Sequence, residues 1–145
     1  MDDYELVRIA LKARENSYSP YSKFMVGAAL LDDEGNVFTG CNIENSAYSP
    51  SICAERTAIF KAVSEGHTSF KKIAIVGGPK GSETLVACPP CGVCRQVMSE
   101  FVNPREFEIL VPDILDLSSN YNGDIVIHKF TLFELLPLSF ELKDF

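Results

Sequence analysis

The sequence predicts a single α/β domain of three layers, in which helices cover both faces of a mixed sheet. Strand-like runs rich in β-branched residues alternate along the chain with segments of helical composition. A helix that connects two strands of one sheet has to pack against a face of that sheet. The 145 residues, 46% of them hydrophobic and 23% charged, are enough for one sizeable core. We therefore expect residues 1–145 to form one α/β/α domain.

Apolar spacing and turn residues predict the elements of the N-terminal half. Apolar side chains recur at helical spacing at Leu6, Ile9, Ala10 and Ala13. The polar, glycine-containing run 32–36 separates two strand-like segments and predicts a hairpin. In order, we predict a helix over residues 3–16, a loop over 17–23, strands over 24–31 and 37–43, and a helix over 52–64 with Ser51 as its N-cap.

The C-terminal half alternates in the same way between short strands and helices. Gly77-Gly78-Pro79 closes one β-branched run, and Asn103-Pro104 stops a helical segment. In order, we predict strands over 72–76 and 85–87, a helix over 91–102, strands over 106–111 and 125–128, and a brief helix that Thr131 caps and Leu136-Pro137 ends.

Charge and hydropathy exclude several classes of function. A net charge of −7 disfavours binding to a phosphate backbone, so we expect no nucleic-acid partner. The acidic start at residues 1–5 is unlike a secretory leader, and no apolar run is long enough for a membrane span. We expect a cytoplasmic protein without a membrane partner.

Two short stretches carry candidate zinc ligands at predicted helix starts, Cys53-Ala54-Glu55 and Pro90-Cys91-Gly92-Val93-Cys94. The spacing of Cys91 and Cys94 puts both side chains on one face of a first helical turn, where the helix dipole favours thiolate. A third thiolate from Cys53 would complete a tetrahedral site with one position left for water. We predict one Zn²⁺, held by these three cysteines.

The two remaining cysteines leave an alternative open. Cys88 lies three residues before Cys91 and could close the coordination sphere, which would make a structural zinc module for protein interaction. Cys41 lies in a strand-like stretch, where we expect a buried thiol. An odd number of cysteines in a chain with no recognisable leader favours metal ligands over a disulfide framework.

Charged residues beside the cysteines suggest the chemistry of such a site. Glu55 can act as a proton shuttle just outside the coordination shell; the alternative is a solvated carboxylate in a first helical turn. Arg56 and Arg95 each follow a cysteine closely enough to donate hydrogen bonds to thiolate sulfur, and otherwise form surface salt bridges. We expect Arg56 to make the sulfur contact.

With these motifs the chain resembles the small cytidine deaminases of pyrimidine nucleoside salvage, in the form that has cysteine as the first zinc ligand. The resemblance extends from the first helix to Phe140. The matching segments are 19–24, 26–30, 40–45, 53–58, 90–96 and 134–137. It implies a five-stranded α/β/α fold, a homotetramer with shared active sites, and hydrolysis of cytidine and deoxycytidine to uridine and deoxyuridine with release of ammonia.

The same resemblance assigns roles to individual residues. Zinc-activated water would attack C4 of the base, while Glu55 delivers protons to N3 and then to the departing amine. Asn42 and Glu44 would hydrogen-bond the ribose, and the backbone amide of Ala54 would meet the pyrimidine carbonyl.

Aromatic residues complete the substrate site that the resemblance implies. Phe24 and Phe140 match positions that flank the base, and Tyr48 matches one that reaches a neighbouring subunit's site. Phe24 and Phe140 could instead belong to the core. We expect His67 and His128 to be packed or surface residues.

The chain departs from the family pattern at three places, namely Pro89, the run Ser49-Pro50-Ser51, and a longer stretch over 118–123. Pro89 lies where a pocket wall is expected, and the second departure precedes the ligand Cys53. Two further enzymatic alternatives stay open, deamination of a blasticidin-type nucleoside and editing of a polynucleotide. The ribose pair disfavours the first and the acidity of the chain disfavours the second.

Overall fold

The computed structural model describes residues 1–118 and 125–142. Its helices are α1 (Asp3–Arg14), α2 (Ala54–Ser64), α3 (Gly92–Phe101) and α4 (Leu132–Leu135). The strands in chain order are β1 (Phe24–Asp32), β2 (Val37–Cys41), β3 (Phe70–Pro79), β4 (Thr84–Leu85), β5 (Glu108–Pro112), β6 (Leu115–Asp116) and β7 (Ile127–Thr131).

Five strands form one mixed sheet in the order β2-β1-β3-β5-β7. The β3–β5 pair is parallel and the other neighbouring pairs are antiparallel. The parallel pair is joined through α3, as a crossover connection requires. The predicted fold of a five-stranded mixed sheet between helices is confirmed.

Alternation along β1 distributes the core between the two faces of the sheet. Ala28 and Leu30 pack with α2, α3 and α4, whereas Ala29 and Leu31 face α1. Because successive strand side chains point to opposite faces, a continuous apolar run such as β1 marks a strand covered on both sides. The three layers follow from this alternation.

The boundaries differ from the sequence predictions where long-range contacts set them. β3 is longer than the predicted run 72–76, because antiparallel pairing with β1 extends it to Pro79. The last two main-sheet strands start two residues later than predicted, in a register that pairs Glu108 with Thr131. The expected strand at 85–87 is reduced to β4, which pairs with the unpredicted β6 in a separate two-stranded sheet.

The hairpin turn between β1 and β2 is organised by the buried carboxylate of Asp32. Its oxygens accept hydrogen bonds from the backbone amides of Glu34 and Asn36, from the Asn36 side chain, and from His67 Nδ1 at 3.0 Å. His67 therefore ties the segment after α2 to this turn, as expected of a packed histidine. In the described part of the chain, the helices are too short or too polar to cross a membrane.

Candidate active site

The first turns of α2 and α3 meet at three cysteines. Cys53 is the N-cap of α2 and Cys91 the N-cap of α3, while Cys94 lies in the first turn of α3. The three sulfur atoms lie within 4.8 Å of one another, and the Sγ atoms of Cys53 and Cys91 are 3.7 Å apart. The predicted ligands are thus brought together. The prediction of Ser51 as N-cap is wrong, because the helix begins only at Ala54. The Ser51 hydroxyl instead accepts a hydrogen bond from the backbone amide of Asn45.

A close approach of two backbones holds α2 at this place. A Cβ on Gly40 of β2 would lie 2.4 Å from the carbonyl oxygen of Ala54 and 2.5 Å from the amide nitrogen of Ala58. Only glycine allows the first turns of α2 to rest so closely on the sheet. The position of Cys53 at the start of that helix therefore depends on Gly40.

Arg56 makes the predicted contact with a ligand sulfur, since its Nη2 donates to Cys53 Sγ at 3.4 Å. Hydrogen bonding with Cys94 is the largest effect that lowers the pKa of Cys53, to about 5, and hydrogen bonds from Arg56 and Cys91 add to it. The same hydrogen bond with Cys53, followed by burial, raises the pKa of Cys94. The cluster therefore already stabilises one thiolate, the form that binds a cation.

Three converging sulfur atoms fit the ligand preference of zinc. Among the described residues, the sulfur of Cys88 lies outside this group of mutually close ligand atoms. Cys88 instead lines the wall of the adjacent cleft, where its sulfur would lie 2.8 Å from a Cβ on Gly77. The geometry therefore favours the open three-cysteine site over the closed four-cysteine module.

Glu55 lies in the first turn of α2 with 4% of its surface exposed. Burial is the main cause that raises the pKa of Glu55, to about 7, and the negative charge of Cys53 adds to it. The alternative of a solvated surface carboxylate is wrong for this residue. A buried carboxyl group beside a metal site is suited to exchanging protons near neutrality.

The cysteine cluster opens into a cleft of about 400 Å³. Its lining combines polar side chains, the first turn of α2 and several apolar side chains. Lining residues include Asn42, Glu44, Ala54, Glu55, Cys88 and Pro89. Pro89 thus lies in the pocket wall, as expected from its place in the sequence.

Asn42 and Glu44 are held at the cleft by main-chain groups of two neighbouring segments. Asn42 Oδ1 accepts from Val26 N at 2.9 Å, and Asn42 Nδ2 donates to Phe24 O at 2.8 Å. Glu44 Oε1 accepts from the backbone amides of Tyr21 and Ser22 at 3.0 and 3.1 Å. These contacts fix both polar side chains before any ligand binds.

The three predicted aromatic contacts are not part of the cleft lining in a single chain. The Phe24 ring lies 3.0 Å from where a Cβ on Gly77 would be, close to Cys88. Tyr48 is 74% exposed and meets Tyr21 edge to face. Phe140 is 67% exposed, and its carbonyl accepts from Gln96 Nε2 at 3.1 Å.

Arg95 has a different role from the sulfur contact considered for it. Its Nε donates to Pro90 O at 2.8 Å and its Nη1 to Leu135 O at 2.9 Å. Arg95 thereby ties the turn before Cys91 to the end of α4. Sequence reasoning missed this bracing role, because the acceptors are backbone carbonyls, one of them 40 residues away.

The structure describes the remaining departures from the family pattern only in part. Ser49 and Pro50 are exposed, and Ser51 lies at the cleft. Of the longer stretch over 118–123, only Ser118 falls within the described residues.

Comparison with known proteins agrees with this geometry. A model of the cytidine and deoxycytidylate deaminase zinc-binding region matches residues 1–108. The chain is 49% identical to a cytidine deaminase of Sporosarcina psychrophila over 144 residues, which cover 99% of this chain and 95% of the relative. A cytidine deaminase of Halalkalibacterium halodurans is 44% identical over 144 residues, with coverage of 99% and 98%.

A solved structure extends the likeness to the fold. The crystal structure of cytidine deaminase from Burkholderia pseudomallei superposes with a TM-score of 0.78 at 40% identity, covering 97% of this chain and 100% of that one. The two relatives and the solved structure match nearly the whole chain, and the zinc-binding region matched over residues 1–108 contains the cysteine cluster. The chain therefore belongs to the family of zinc-dependent cytidine deaminases.

Proposed function

We propose that the protein hydrolyses cytidine and deoxycytidine to uridine and deoxyuridine with release of ammonia, as a cytoplasmic enzyme of pyrimidine salvage. The observation that carries this proposal is the buried carboxyl group of Glu55 in the same cleft as three converging cysteine sulfurs. In the deaminase reaction a water oxygen forms a bond to C4 of the base, and the C4–N bond to the amino group breaks.

Cys53, Cys91 and Cys94 would hold one Zn²⁺ per subunit. When bound, the ion supplies a Lewis acid that lowers the pKa of a water molecule and orients it. Glu55 accepts a proton from the attacking water and transfers it to N3 of the base. It then takes the remaining proton from the oxygen now bonded to C4 and gives it to the amino group, which leaves as ammonia while C4 becomes a carbonyl. Arg56 withdraws negative charge from Cys53 through its hydrogen bond. Three thiolates place one more negative charge on the site than the cation neutralises, and Arg56 offsets it.

The cleft beside the cysteine cluster binds the nucleoside. The backbone amide of Ala54, at the start of α2, donates to the pyrimidine carbonyl, since the first amides of a helix lack helical partners. Asn42 and Glu44 bind a ribose hydroxyl at the cleft wall. Two fixed polar groups of opposite hydrogen-bonding character suit a hydroxyl, which both donates and accepts.

The aromatic residues act across subunits of a homotetramer. Tyr48 and Phe140 are largely exposed in the isolated chain, although large aromatic side chains usually lie buried. Contact with neighbouring chains would bury them at shared active sites, and Phe24 together with Phe140 would flank the base. The exposure of both residues supports this assembly.

The function is tested by following the loss of cytidine absorbance together with zinc content. We expect Glu55→Gln to retain zinc and lose about 10²–10⁴-fold in kcat, because proton transfer is removed while the ligands stay. Glu65→Gln, at the exposed C-terminal end of the same helix, is the matched control and should keep wild-type activity.

The same assay separates the competing functions. Wild-type protein should act on cytidine and deoxycytidine and leave blasticidin S and single-stranded DNA unchanged. A zinc-loaded wild type that does not deaminate cytidine would refute the proposal, as would a Glu55→Gln variant with full activity.

A further inference from the structure

The amide of Asn42 has one more partner than its two backbone contacts. The hydroxyl of Ser17 donates to Asn42 Oδ1, the atom that also accepts from Val26 N. Ser17 lies three residues beyond the end of α1 and is half-buried. A side chain from the connecting loop therefore reaches the residue that faces the cleft.

The existing contacts of Asn42 use most of its hydrogen-bonding capacity. A side-chain amide oxygen has two lone pairs, and Val26 N and Ser17 Oγ occupy both. The amide nitrogen has two hydrogens, of which one goes to Phe24 O. A single N–H is left, so Asn42 can meet a ligand only as a donor.

Glu44 is complementary to this donor. Its Oε1 already accepts two backbone hydrogen bonds, and its Oε2 accepts one from the Ser22 hydroxyl. An ionised carboxylate has about four lone-pair sites, so roughly one acceptor site remains, on Oε2. One free donor and one free acceptor, both at the cleft, match one hydroxyl group that accepts from Asn42 and donates to Glu44.

We infer that Ser17 is a positioning residue that fixes Asn42 as a pure donor and thereby sets the preference of this subsite for a sugar hydroxyl. The inference rests on the proposed function, in which Asn42 and Glu44 bind the ribose. Ser17 itself does not line the cleft. The backbone contacts of Asn42 already set the amide orientation, and Ser17 acts by occupying the second lone pair of Oδ1.

A second hydroxyl, that of Ser19, contacts Ser17. Ser17 Oγ and the buried Ser19 Oγ are 3.1 Å apart. Ser17 has a single hydroxyl hydrogen, and Asn42 Oδ1 can only accept. Donation to Asn42 therefore leaves Ser17 to accept from Ser19, so the two hydroxyls form a short chain that ends at the amide oxygen.

The test compares substrates with and without the sugar hydroxyls. We measure kcat and KM of wild type, Ser17→Ala and Ser17→Thr for cytidine and for 2′,3′-dideoxycytidine. Loss of one neutral hydrogen bond at the subsite should lower kcat/KM for cytidine about fivefold, mainly through KM, because the sugar is held equally in ground and transition states. Activity on the dideoxy substrate should change by less than about twofold, and Ser17→Thr, which keeps a hydroxyl, should restore the wild-type ratio.

The outcomes separate this inference from the proposed function. An equal loss on both substrates, or no loss on cytidine, overturns the role of Ser17 while leaving the enzyme assignment intact. A wild type that does not deaminate cytidine overturns the proposed function and the inference with it. If Ser17→Ala yields no folded protein, Ser17→Cys replaces it, since its weak S–H donor should give the same separation between substrates.

Discussion

Substitution of Gly40 by alanine tests whether the close contact between β2 and α2 positions the metal site. The new Cβ would lie 2.4 Å from Ala54 O, whereas ordinary contacts begin at 3.4 Å, so α2 has to retreat by the difference of about 1 Å. Cys53 immediately precedes that turn. Zinc–ligand distances tolerate only about 0.2 Å, so a shift of this size should spoil the three-sulfur geometry.

We expect Gly40→Ala to lower zinc affinity by at least about 10–100-fold and the free energy of unfolding by about 1–3 kcal/mol. Zinc affinity is measured by competition with a chelating dye, and unfolding by urea titration of the metal-loaded protein. Gly92→Ala is the matched control. It lies beside Cys91, yet its Cβ would meet no atom within 4 Å. Wild-type zinc affinity in Gly40→Ala would refute the reasoning, because the helix would then bind metal without the close approach.

Two further substitutions test single hydrogen-bonding groups. Arg56→Ala should accelerate zinc release to a chelator by about 10–100-fold through loss of the donor to Cys53, and equal release rates would contradict this role. At Asp32 burial alone would raise the pKa, but hydrogen bonds from Asn36, Glu34 and His67 outweigh it and hold the pKa below its usual 3.8. The ionised Asp32 carboxylate therefore stabilises the folded state fully above about pH 4, and this stabilisation is lost as the pH falls through the lowered pKa. The free energies of unfolding of wild type and Asp32→Asn should accordingly converge in acid. A difference that stays constant with pH would refute this linkage.

Local patterns in the chain were sufficient for most elements. The hairpin around 32–36 and the helix start at Cys91 depend on turn residues and spacing within a few positions, and both are confirmed. The error at Ser51 has a physical cause. A serine is a good N-cap by propensity, but the contact of Gly40 with Ala54 and Ala58 fixes where the helix lies.

At the site, too, local sequence patterns predicted some contacts and long-range packing decided others. The sequence identified Cys53, Glu55 and Arg56, since their types and spacing carry the chemistry by themselves. It could not show that Arg95 braces two backbone carbonyls, because no side-chain pattern marks such acceptors.

The sequence by itself determined the alternation of helices and strands, the three candidate thiolates and the neighbouring carboxylate, because propensity and motif spacing act between residues close in the chain. Tertiary structure alone decided that two helix starts converge, that Cys88 stays outside the sulfur cluster, and that Ser17 reaches Asn42. Such contacts depend on how closely separate backbones approach each other. That distance is set by packing across the whole sheet, and no short stretch of sequence contains it.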